Sequence, residues 1–593
     1  MDIPKLRIPS SGRQMVDTFR GYNHNLRIGD GEFYDMMNLS SDHYPLLSPR
    51  HARGVYATPG SCTGMIAKDA LCYVDGTDFV VNGYPVNMNL NDEEKQLIGM
   101  GAYVIILPDR KYINTEDLTD WGNIDAEVKT QGTVTFFLCK QDGTAYVPDY
   151  ARATAPENPQ NMCLWLDTSQ AKASLKQWSE ASGMWVSIAT TYVQIHCVGI
   201  GKAFKQFDGI DISGLAGVDL TDADTGEIVH SAELEALDGS FVAEQVADDY
   251  IVVTGLLSDT IKISNSITIQ RKMPQMDFVV EAQNRLWGCY YGLSEDKTQV
   301  INEIYCSKLG DFKNWNCFQE ISTDSWVGSV GTDGCFTGAI THLGYPLFFK
   351  ENVLHKVHIS PTGAHQIVDR ACRGVQEGSH KSLAIVGETL FYKSLRSICA
   401  YDGSLPTDVS QALGSEIYCN AAAGAFGNKY YVCMEDTAGK HHVFVLDTDK
   451  GMWHKEDNAN MHVFCTCRGD LYFLDGADGC IKTVSGTGET EPGKVQWMAQ
   501  TGLIGLSDPD MKYISKLTLR INLPMGSQLR CFAQYDSSGI WEHLFTINGS
   551  GTRSFPLHIR PARCDHLQLK LEGTGDFRLY SRTDTIEQGS DVS

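Results

Sequence analysis

Residues 281–318 carry the pattern that most constrains the fold of this chain. Two runs of alternating apolar residues, at 285–290 and 303–307, flank a polar stretch, and a tight turn follows at Gly310. Aromatic and β-branched residues favour a pleated, half-buried surface, and glycine supports the reversal after the second strand. We therefore predict a small antiparallel sheet here, with Trp315 filling the gap between this unit and its neighbour.

The same succession of strand, turn and strand recurs in the second half of the chain. Residues 390–403 form one such unit, and residues 429–456 form another. Units of about 40 to 50 residues match four-stranded propeller blades, which stack radially because none of them can bury both faces alone. The predicted fold class is therefore all-β, with a β-propeller core.

Asp-Gly dipeptides mark many of the predicted hairpin turns, because glycine accepts the positive φ that type I′ turns demand. Examples occur at positions 30–31, 75–76, 142–143, 208–209, 238–239, 333–334, 402–403 and 475–476. Helical periodicity is rare in this sequence, and the best candidate helix is the short, polar stretch from Ala171 to Ala181.

Composition and patterning divide the chain into five predicted parts. These are an extended N-terminal arm (1–50), the first part of the β-propeller (51–124), an inserted β-rich domain (125–268), the remainder of the propeller (269–490) and a C-terminal β-sandwich (491–593). The arm has two interpretations. It lies along a neighbouring subunit and becomes ordered on binding, or it closes the propeller by adding a strand to the last blade.

The charge of the chain narrows its function class. A formal net charge of −24 disfavours a surface that grips nucleic acid, since such binding depends on Lys and Arg neutralising phosphates. The same charge suits a soluble surface, or a channel through which DNA slides without sticking.

The cysteines and apolar runs bear on the compartment. The 18 cysteines are spread singly along predicted strands without a CxxC pair, which indicates reduced thiols made in a cytosol. No apolar run approaches the roughly 20 residues that span a bilayer, and the N-terminal segment lacks an apolar signal region. We therefore expect a soluble chain without a membrane segment or a standard export signal.

The sequence offers only poor candidates for metal ligands. His355 and His358 lie three positions apart, which places them on opposite faces of a strand, and the adjacent His441 and His442 have the same fault. Residues 219–224 contain three carboxylates but lack the glycine and the closing glutamate of a calcium loop. The sequence therefore predicts no metal-ligating residues and no cofactor.

Catalytic motifs are also missing. Residues 447–453 are similar to the Asp-box turns of sialidase-type propellers, but the spacing is one residue short, and we interpret them as a structural turn. Gly505 and Ser507 lack the surrounding G-x-S-x-G elbow, and no phosphate-binding loop is present. The sequence predicts no catalytic or cofactor-binding residues, and we interpret the chain as not being an enzyme.

A family resemblance is carried by the N-terminal segment. Residues 19–23 (FRGYN), 28–39 (IGDGEFYDMMNL) and 45–50 (PLLSPR) resemble the opening of the phage tail proteins known as stabilisation or nozzle proteins. Residues 281–318 resemble the same family's N-R-L-W-G strand and S-x-x-G-D-x-x-N-W turn. Further matches are found at 344–351 and 401–406. The matches span most of the chain, and their order is stronger evidence than any one motif.

The resemblance implies a structural virion protein of a tailed bacteriophage or prophage, made in the host bacterial cytoplasm. Such proteins form a homo-oligomeric ring, typically a hexamer, below the head-to-tail adaptor; the ring retains packaged DNA and supports its ejection. The expected partners are further copies of the chain, the adaptor, receptor-binding proteins and passing DNA without specific binding. The long insert and sandwich-like C-terminus depart from the short-tailed examples, so a place at the tail tip, or as a hub carrying receptor-binding proteins, stays open.

A second function class also stays open. The 10 Trp and 25 Tyr residues suit stacking on sugars as well as packing in blade cores. A glycan-directed protein, either a tail adhesin or a depolymerase, would use an aromatic surface or the carboxylates of the insert.

Overall fold

The computed structural model of the chain is built almost entirely from β-strands. It describes residues 11–170, 173–221, 228–294, 297–490, 493–506, 510–557 and 562–588. The helical elements of those ranges are one α-helix, Ala232–Glu235, and two 3-10 turns, His380–Ser382 and Gln411–Leu413. The predicted fold class is confirmed: a β-propeller core carries an inserted β-rich domain and a C-terminal β-sandwich.

Seven antiparallel sheets of the described residues form the propeller blades. Blade 1 contains Cys62–Ala67, Leu71–Asp75, Asp78–Val81 and Tyr84–Asn87, and blade 2 contains Gln96–Met100, Tyr103–Leu107, Lys111–Asn114 and Trp121–Asn123. Blade 3 contains Phe278–Glu281, Leu286–Leu293, Val300–Cys306 and Trp326–Ser329, and blade 4 contains Gly338–His342, Tyr345–Lys350, Val353–His358 and Gln366–Ala371. Blade 5 contains Ala384–Val386, Thr389–Lys393, Ile398–Tyr401 and Thr407–Asp408, and blade 6 contains Tyr418–Phe426, Lys429–Asp436, His441–Asp447 and Met452–Lys455.

Blade 7 closes the ring with strands from both ends of the propeller. Met461–Cys467, Asp470–Asp475 and Ile481–Thr483 are joined by Gly54–Ala57, which pairs with Ile481–Thr483, and by the short strand Glu489–Thr490. The first strand of each blade is innermost, and neighbouring innermost strands contact one another around the axis, with the turn His380–Ser382 bridging blades 4 and 5. The closing strand Gly54–Ala57 lies beyond the predicted arm of residues 1–50, so the arm itself does not supply it.

Large aromatic side chains fill the spaces between blades. Trp315 is 5% exposed and packs in one cluster with Ile98 and Ile105 of blade 2 and Leu286 of blade 3. Trp287 is fully buried in the next cluster, between blades 3 and 4. Trp315 therefore fills the gap between blades, as its position after the predicted turn indicates.

The turn that precedes Trp315 also anchors the inserted domain. Asn314 donates from Nδ2 to Asp311 within the turn at 2.6 Å and to the buried carboxylate of Asp208 in the insert at 3.0 Å. Its Oδ1 accepts the backbone N–H of Gly209 at 2.9 Å. Asp208 also forms a buried ion pair with Arg271, where the chain leaves the insert.

At Asp208-Gly209 the predicted hairpin turn is wrong. Gly209 begins the strand Gly209–Ser213, because Asp208 is held in place by its ion pair rather than by a turn. Asp475-Gly476 does lie in a hairpin turn, between Asp470–Asp475 and Ile481–Thr483, although the positive φ of that turn falls on Gly479. The turn predicted at Asp238-Gly239 is also wrong, because Gly239 begins the strand Gly239–Val242 after the helix Ala232–Glu235. Gly31, Gly76, Gly143, Gly334 and Gly403 take the positive φ that a tight turn requires.

The inserted domain has its own apolar core between two sheets. One sheet contains Ala126–Lys129, Thr268–Arg271, Gly209–Ser213 and Gly239–Val242. The other contains Gln245–Ala247, Tyr250–Thr254, Tyr192–His196, Val134–Cys139 and Ile261–Ile263. A third, smaller sheet contains Tyr150–Arg152, Leu164–Asp167, Ser174–Ser179 and Met184–Ser187, and Asp219–Thr221 pairs with Ile228–His230.

The prediction of a helix from Ala171 to Ala181 is wrong. Ser174–Ser179 forms a strand between Leu164–Asp167 and Met184–Ser187. Trp178 lies directly opposite Trp185, with ring centroids 5.4 Å apart, and such cross-strand aromatic pairs stabilise a sheet. Residues 171–172 lie outside the described part of the chain.

The N-terminal segment packs on its own chain from residue 11 onward. Ser11–Val16 pairs with Arg578–Gln588 of the C-terminal region. Gly21–Tyr22 and Glu32–Met37 extend the sheet of blade 6, and the hairpin Leu39–Ser40 with Ser48–Pro49 follows. The remainder of the predicted arm, residues 1–10, lies outside the described residues.

The C-terminal region forms a β-sandwich over a continuous apolar core. One sheet contains Ser11–Val16, Arg578–Gln588, Lys512–Leu523 and Gly551–Leu557. The facing strands are Gln496–Thr501, Leu567–Thr574, Gln528–Tyr535 and Glu542–Asn548. These four strands continue the sheet of blade 6 through Glu32–Met37 and Gly21–Tyr22, so propeller and sandwich share one ten-stranded sheet.

All 18 cysteines are free thiols, and Cys335 is the one classed as exposed. Within the described ranges, no helix has the length and apolar character needed to cross a bilayer.

Candidate functional site

A cavity of about 680 Å³ lies at the axis of the propeller. Each blade starts at its innermost strand, so the segments that lead into these strands meet at one face of the ring. The cavity is lined by residues 94–97 at the start of blade 2, by residues 273–278 at the start of blade 3, and by residues 380, 381 and 383 at the start of blade 5. Phe464 of blade 7 adds an aromatic wall. The volume falls within the range of about 300 to 1,000 Å³ that is typical of ligand sites.

An ion pair crosses this cavity from blade 2 to blade 5. Oε1 of Glu94 lies 2.8 Å from Nζ of Lys381 and 3.7 Å from Nε2 of His380. His380 and Lys381 lower the pKa of Glu94 to about 2, against partial desolvation, which acts in the opposite direction. Glu94 is therefore an ionised carboxylate at neutral pH, and it links two blades on opposite sides of the axis.

Asp277 enters the same cavity from blade 3. Its Oδ2 accepts the backbone N–H of Tyr291 at 3.0 Å. Partial desolvation by the surrounding protein nevertheless raises the pKa of Asp277. Among the described residues, Glu94 and Asp277 are the carboxylates that line the cavity, and their pKa values move in opposite directions. When the pKa values of two carboxyl groups are shifted apart, the one with the raised pKa can serve as a proton donor and the other as an anionic base or stabiliser.

The segments that carry these carboxylates are fixed by hydrogen bonds between blades. Nε2 of Gln96 donates to the carbonyl of Val279 at 2.9 Å, and the backbone N–H of Val279 donates to Oε1 of Gln96 at 3.2 Å. The buried Lys95 pairs with Asp109 at 2.6 Å. Glu94 and Asp277 thus project from segments held in a defined geometry.

The histidine pairs considered as metal ligands are separated, as their strand positions predict. Nδ1 of the buried His355 lies 2.6 Å from the Asp369 carboxylate, while the ring of His358 packs 5.1 Å from that of Tyr345. Nε2 of His442 lies 2.8 Å from Asp436. Among the described residues, no three His, Cys, Asp or Glu side chains are grouped so that they could hold a metal ion.

The Asp-box-like segment is a turn between two strands of blade 6. The buried Asp447 accepts hydrogen bonds from Ser41 Oγ at 2.6 Å, from Asn428 Nδ2 at 3.0 Å and from the backbone N–H of Lys450 at 3.1 Å. Its carboxylate is therefore fully engaged in local structure. The acidic residues 222–224, and Ser507 with its neighbours, lie outside the described residues.

Sequence patterns did not single out Glu94 or Asp277. Neither residue belongs to a motif, and they are brought together only when the blades close around the axis. Their position in the chain was the one available signal. Glu94 and Asp277 each precede the first strand of a blade by two residues or fewer, and this is where a propeller chain approaches the axis.

Comparison with known proteins returned structural likeness alone. No family model and no curated protein matches the chain. Matched structures include an exo-β-1,3-galactanase from Phanerochaete chrysosporium, with 9% identity and a TM-score of 0.21 over 52% of this chain and 94% of the galactanase. PorZ, a surface component of the type-IX secretion system of Porphyromonas gingivalis, matches with 11% identity and a TM-score of 0.25 over 84% of this chain and 71% of PorZ. An acylaminoacyl peptidase from Pyrococcus horikoshii matches with 10% identity and a TM-score of 0.24 over 51% of this chain and 46% of the peptidase.

These matches correct one prediction. The interpretation of the chain as not being an enzyme is wrong, because the structures that it resembles include a galactanase and a peptidase. Missing motifs therefore do not exclude enzyme activity. At TM-scores of 0.25 or less, the matches assign no activity, substrate or partner to this chain.

Proposed function

We propose that the chain is a structural component of a bacteriophage tail, built as a rigid scaffold that assembles with further copies of itself. The observation that carries this proposal is the ten-stranded sheet shared by propeller and sandwich. Domains joined only by a linker move relative to each other, whereas a shared sheet fixes their orientation through backbone hydrogen bonds. The joint is made of Gly21–Tyr22 and Glu32–Met37, which lie in the segment that resembles phage tail proteins.

In this proposal DNA passes between copies of the chain rather than along the propeller axis. The contact between Glu94 and Lys381 crosses the axis, and the cavity of about 680 Å³ is too small for a duplex. The net charge of −24 keeps the surface that faces DNA from binding it, because phosphates are repelled.

Particle imaging and a matched pair of glycine variants test the scaffold proposal. Gly21 lies in the joint with a φ of +81°, and an added Cβ would overlap the carbonyl oxygen of Trp453 in blade 6. Gly12 has open space around it. We expect symmetric copies of the chain around the tail axis in purified particles, with Gly21→Ala poorly incorporated and Gly12→Ala incorporated normally. A chain that stays monomeric and is missing from particles contradicts the proposal.

The second candidate is a glycan-directed protein, and the pair Glu94 and Asp277 in the axial cavity favours it. Glycoside hydrolysis in most families uses two carboxylates, one of which is held as an acid by a raised pKa. Here the raised pKa belongs to Asp277 and the lowered one to Glu94, which assigns Asp277 the acid role and Glu94 the anionic role.

Polysaccharide assays separate this candidate from the scaffold. If it is right, the purified chain releases reducing ends from host surface polysaccharide, and Asp277→Asn and Glu94→Gln each lose at least about a hundredfold of that rate, the size of a typical acid–base contribution. Glu542→Gln, an exposed change in the sandwich, serves as the control. Absence of both hydrolysis and binding rejects the glycan candidate and leaves the scaffold proposal untouched.

A further inference from the structure

A second cavity, of about 550 Å³, lies between blades 5 and 6 and is lined by a buried lysine. Lys393 ends the strand Thr389–Lys393 and is 3% exposed. Its Nζ donates to the carbonyl oxygens of Ser394 at 2.5 Å and Leu395 at 3.4 Å. Within the described residues, no carboxylate forms an ion pair with it. Burial of an ammonium group without a countercharge is costly, so this arrangement requires an explanation.

The equivalent lysine of the preceding blade shows what a purely structural solution looks like. Lys350 ends the second strand of blade 4 and is also 3% exposed. Its Nζ donates to Asn302 Oδ1 at 3.0 Å and to the Thr332 carbonyl at 2.6 Å, and it lies 4.7 Å from the ring centroid of Phe336. Lys350 is therefore enclosed by neighbouring side chains, whereas Lys393 faces a cavity.

The wall around Lys393 is rich in groups that bind anions. Arg396 lines the same cavity, is exposed, and forms no ion pair with any described residue. Glu416 is the one carboxylate in the described wall, and it is exposed to solvent. Two cationic side chains therefore face the cavity against a single carboxylate.

We propose that this cavity binds a small ligand through an anionic group, a carboxylate or a phosphate, which pairs with Lys393 and Arg396. An ammonium group has three N–H donors, and two backbone carbonyls account for two of them. A charge-assisted bond to an anion supplies the third partner, and a guanidinium can bind the same group through two parallel bonds. This ligand site is separate from the axial cavity and does not depend on the proposed function.

The ionisation of Lys393 supports the same conclusion. Burial lowers the pKa of Lys393 to about 8. The thiols of Cys399 and Cys419 face it from neighbouring strands, and Arg396 and Glu416 are the charged groups of the cavity wall. The ammonium is therefore mostly charged at pH 7 and mostly neutral above about pH 9, so an anion held by it should bind more weakly as the pH rises.

Calorimetric titration with two probes, inorganic phosphate and glucuronate, tests the proposal on the full chain. We expect saturable binding of at least one probe at pH 7, weakened at least tenfold by Lys393→Met and by Arg396→Gln. Lys350→Met is the matched control and should bind as the unmodified chain does. Glucuronate stays fully ionised between pH 7 and pH 9.5. If it binds, its affinity should fall at least tenfold over that range, and this fall should be absent in Lys393→Met.

Each outcome either identifies the anionic group of the ligand or overturns the proposed site. Binding of glucuronate alone indicates a carboxylated ligand, and binding of phosphate alone indicates a phosphorylated one. No binding of either probe overturns the proposal, as does binding that Arg396→Gln leaves unchanged. If Lys393→Met does not fold, Arg396→Gln and the pH dependence of the unmodified chain still decide.

Discussion

Arg53 and Glu456 lie 403 positions apart in the sequence and form a buried ion pair, with Nη2 of Arg53 2.9 Å from Oε2 of Glu456. They are 3% and 2% exposed. Nη1 of Arg53 also lies 2.8 Å from the carboxylate of Asp457. Arg53 directly precedes Gly54–Ala57, so the pair fixes the strand that closes the ring to the segment between blades 6 and 7.

Loss of the arginine should therefore destabilise the closed ring. Arg53→Met removes the nearest cation from two carboxylates and leaves them Arg50, which lies 3.7 Å from Glu456 and 3.3 Å from Asp457. Because breaking a buried pair typically costs about 3–5 kcal/mol of unfolding free energy, we expect a loss of up to that size. The matched control is Arg530→Ala, since Arg530 is half exposed and lies 3.6 Å from Glu572, where about 0–1 kcal/mol is expected. Urea unfolding measures the free energy of unfolding of both variants. Equal losses of that free energy would contradict a role for Arg53 in holding the ring closed.

Acid should weaken the same closure. Burial acts to raise the pKa of Asp457, but Arg53 outweighs it and holds that pKa below its ordinary value. A carboxyl group whose pKa is lower in the folded chain stabilises the fold at any pH above its pKa in the unfolded chain, which is about 3.9. This contribution is lost as the pH falls through the pKa of the folded chain. The difference in unfolding free energy between the unmodified chain and Asp457→Asn should be constant near neutral pH and should shrink below about pH 4. A difference that stays constant in acid would contradict this assignment.

Local chemistry made the blades predictable. Trp315 follows a glycine turn and an apolar strand, and this order places it between blades whatever the rest of the chain does. The closing strand Gly54–Ala57 could be anticipated because a ring of blades needs one strand from the other end of the chain. The number of blades was not predicted, since the blade repeat is weak in sequence.

Contacts over long sequence distances escaped prediction. Glu94 meets Lys381 only because blades 2 and 5 face each other across the axis, and no spacing along the chain encodes that approach. Asp208 carried the signature of a turn, but its ion pair with Arg271 overrides the local preference. Local patterns therefore identified strands, whereas the candidate site depends on closure of the whole ring.

Truncation of the inter-blade tryptophan should cost more than truncation of a surface tryptophan. Trp315→Ala removes a side chain that is 5% exposed between blades 2 and 3, and such a change typically costs about 3–5 kcal/mol. Trp121, in the outermost strand of blade 2, is 39% exposed and serves as the control, with a much smaller expected loss. Thermal unfolding followed by circular dichroism distinguishes them. Similar melting temperatures in the two variants would contradict a packing role for Trp315.

One thiol should dominate the reactivity of the native chain. Cys335 is exposed, whereas burial raises the pKa of thiols such as Cys289 and Cys531 well above their ordinary range, and the thiolate is the reactive form. Titration with a coloured disulfide reagent should therefore show about one fast equivalent, followed by a slow phase that accelerates in denaturant. Cys335→Ser should remove the fast phase and leave the melting temperature unchanged. Because no disulfide joins the described cysteines, a reducing agent should also leave it unchanged. Five further thiols are half-buried, and more fast equivalents than these and Cys335 can supply would contradict the burial of the remaining twelve.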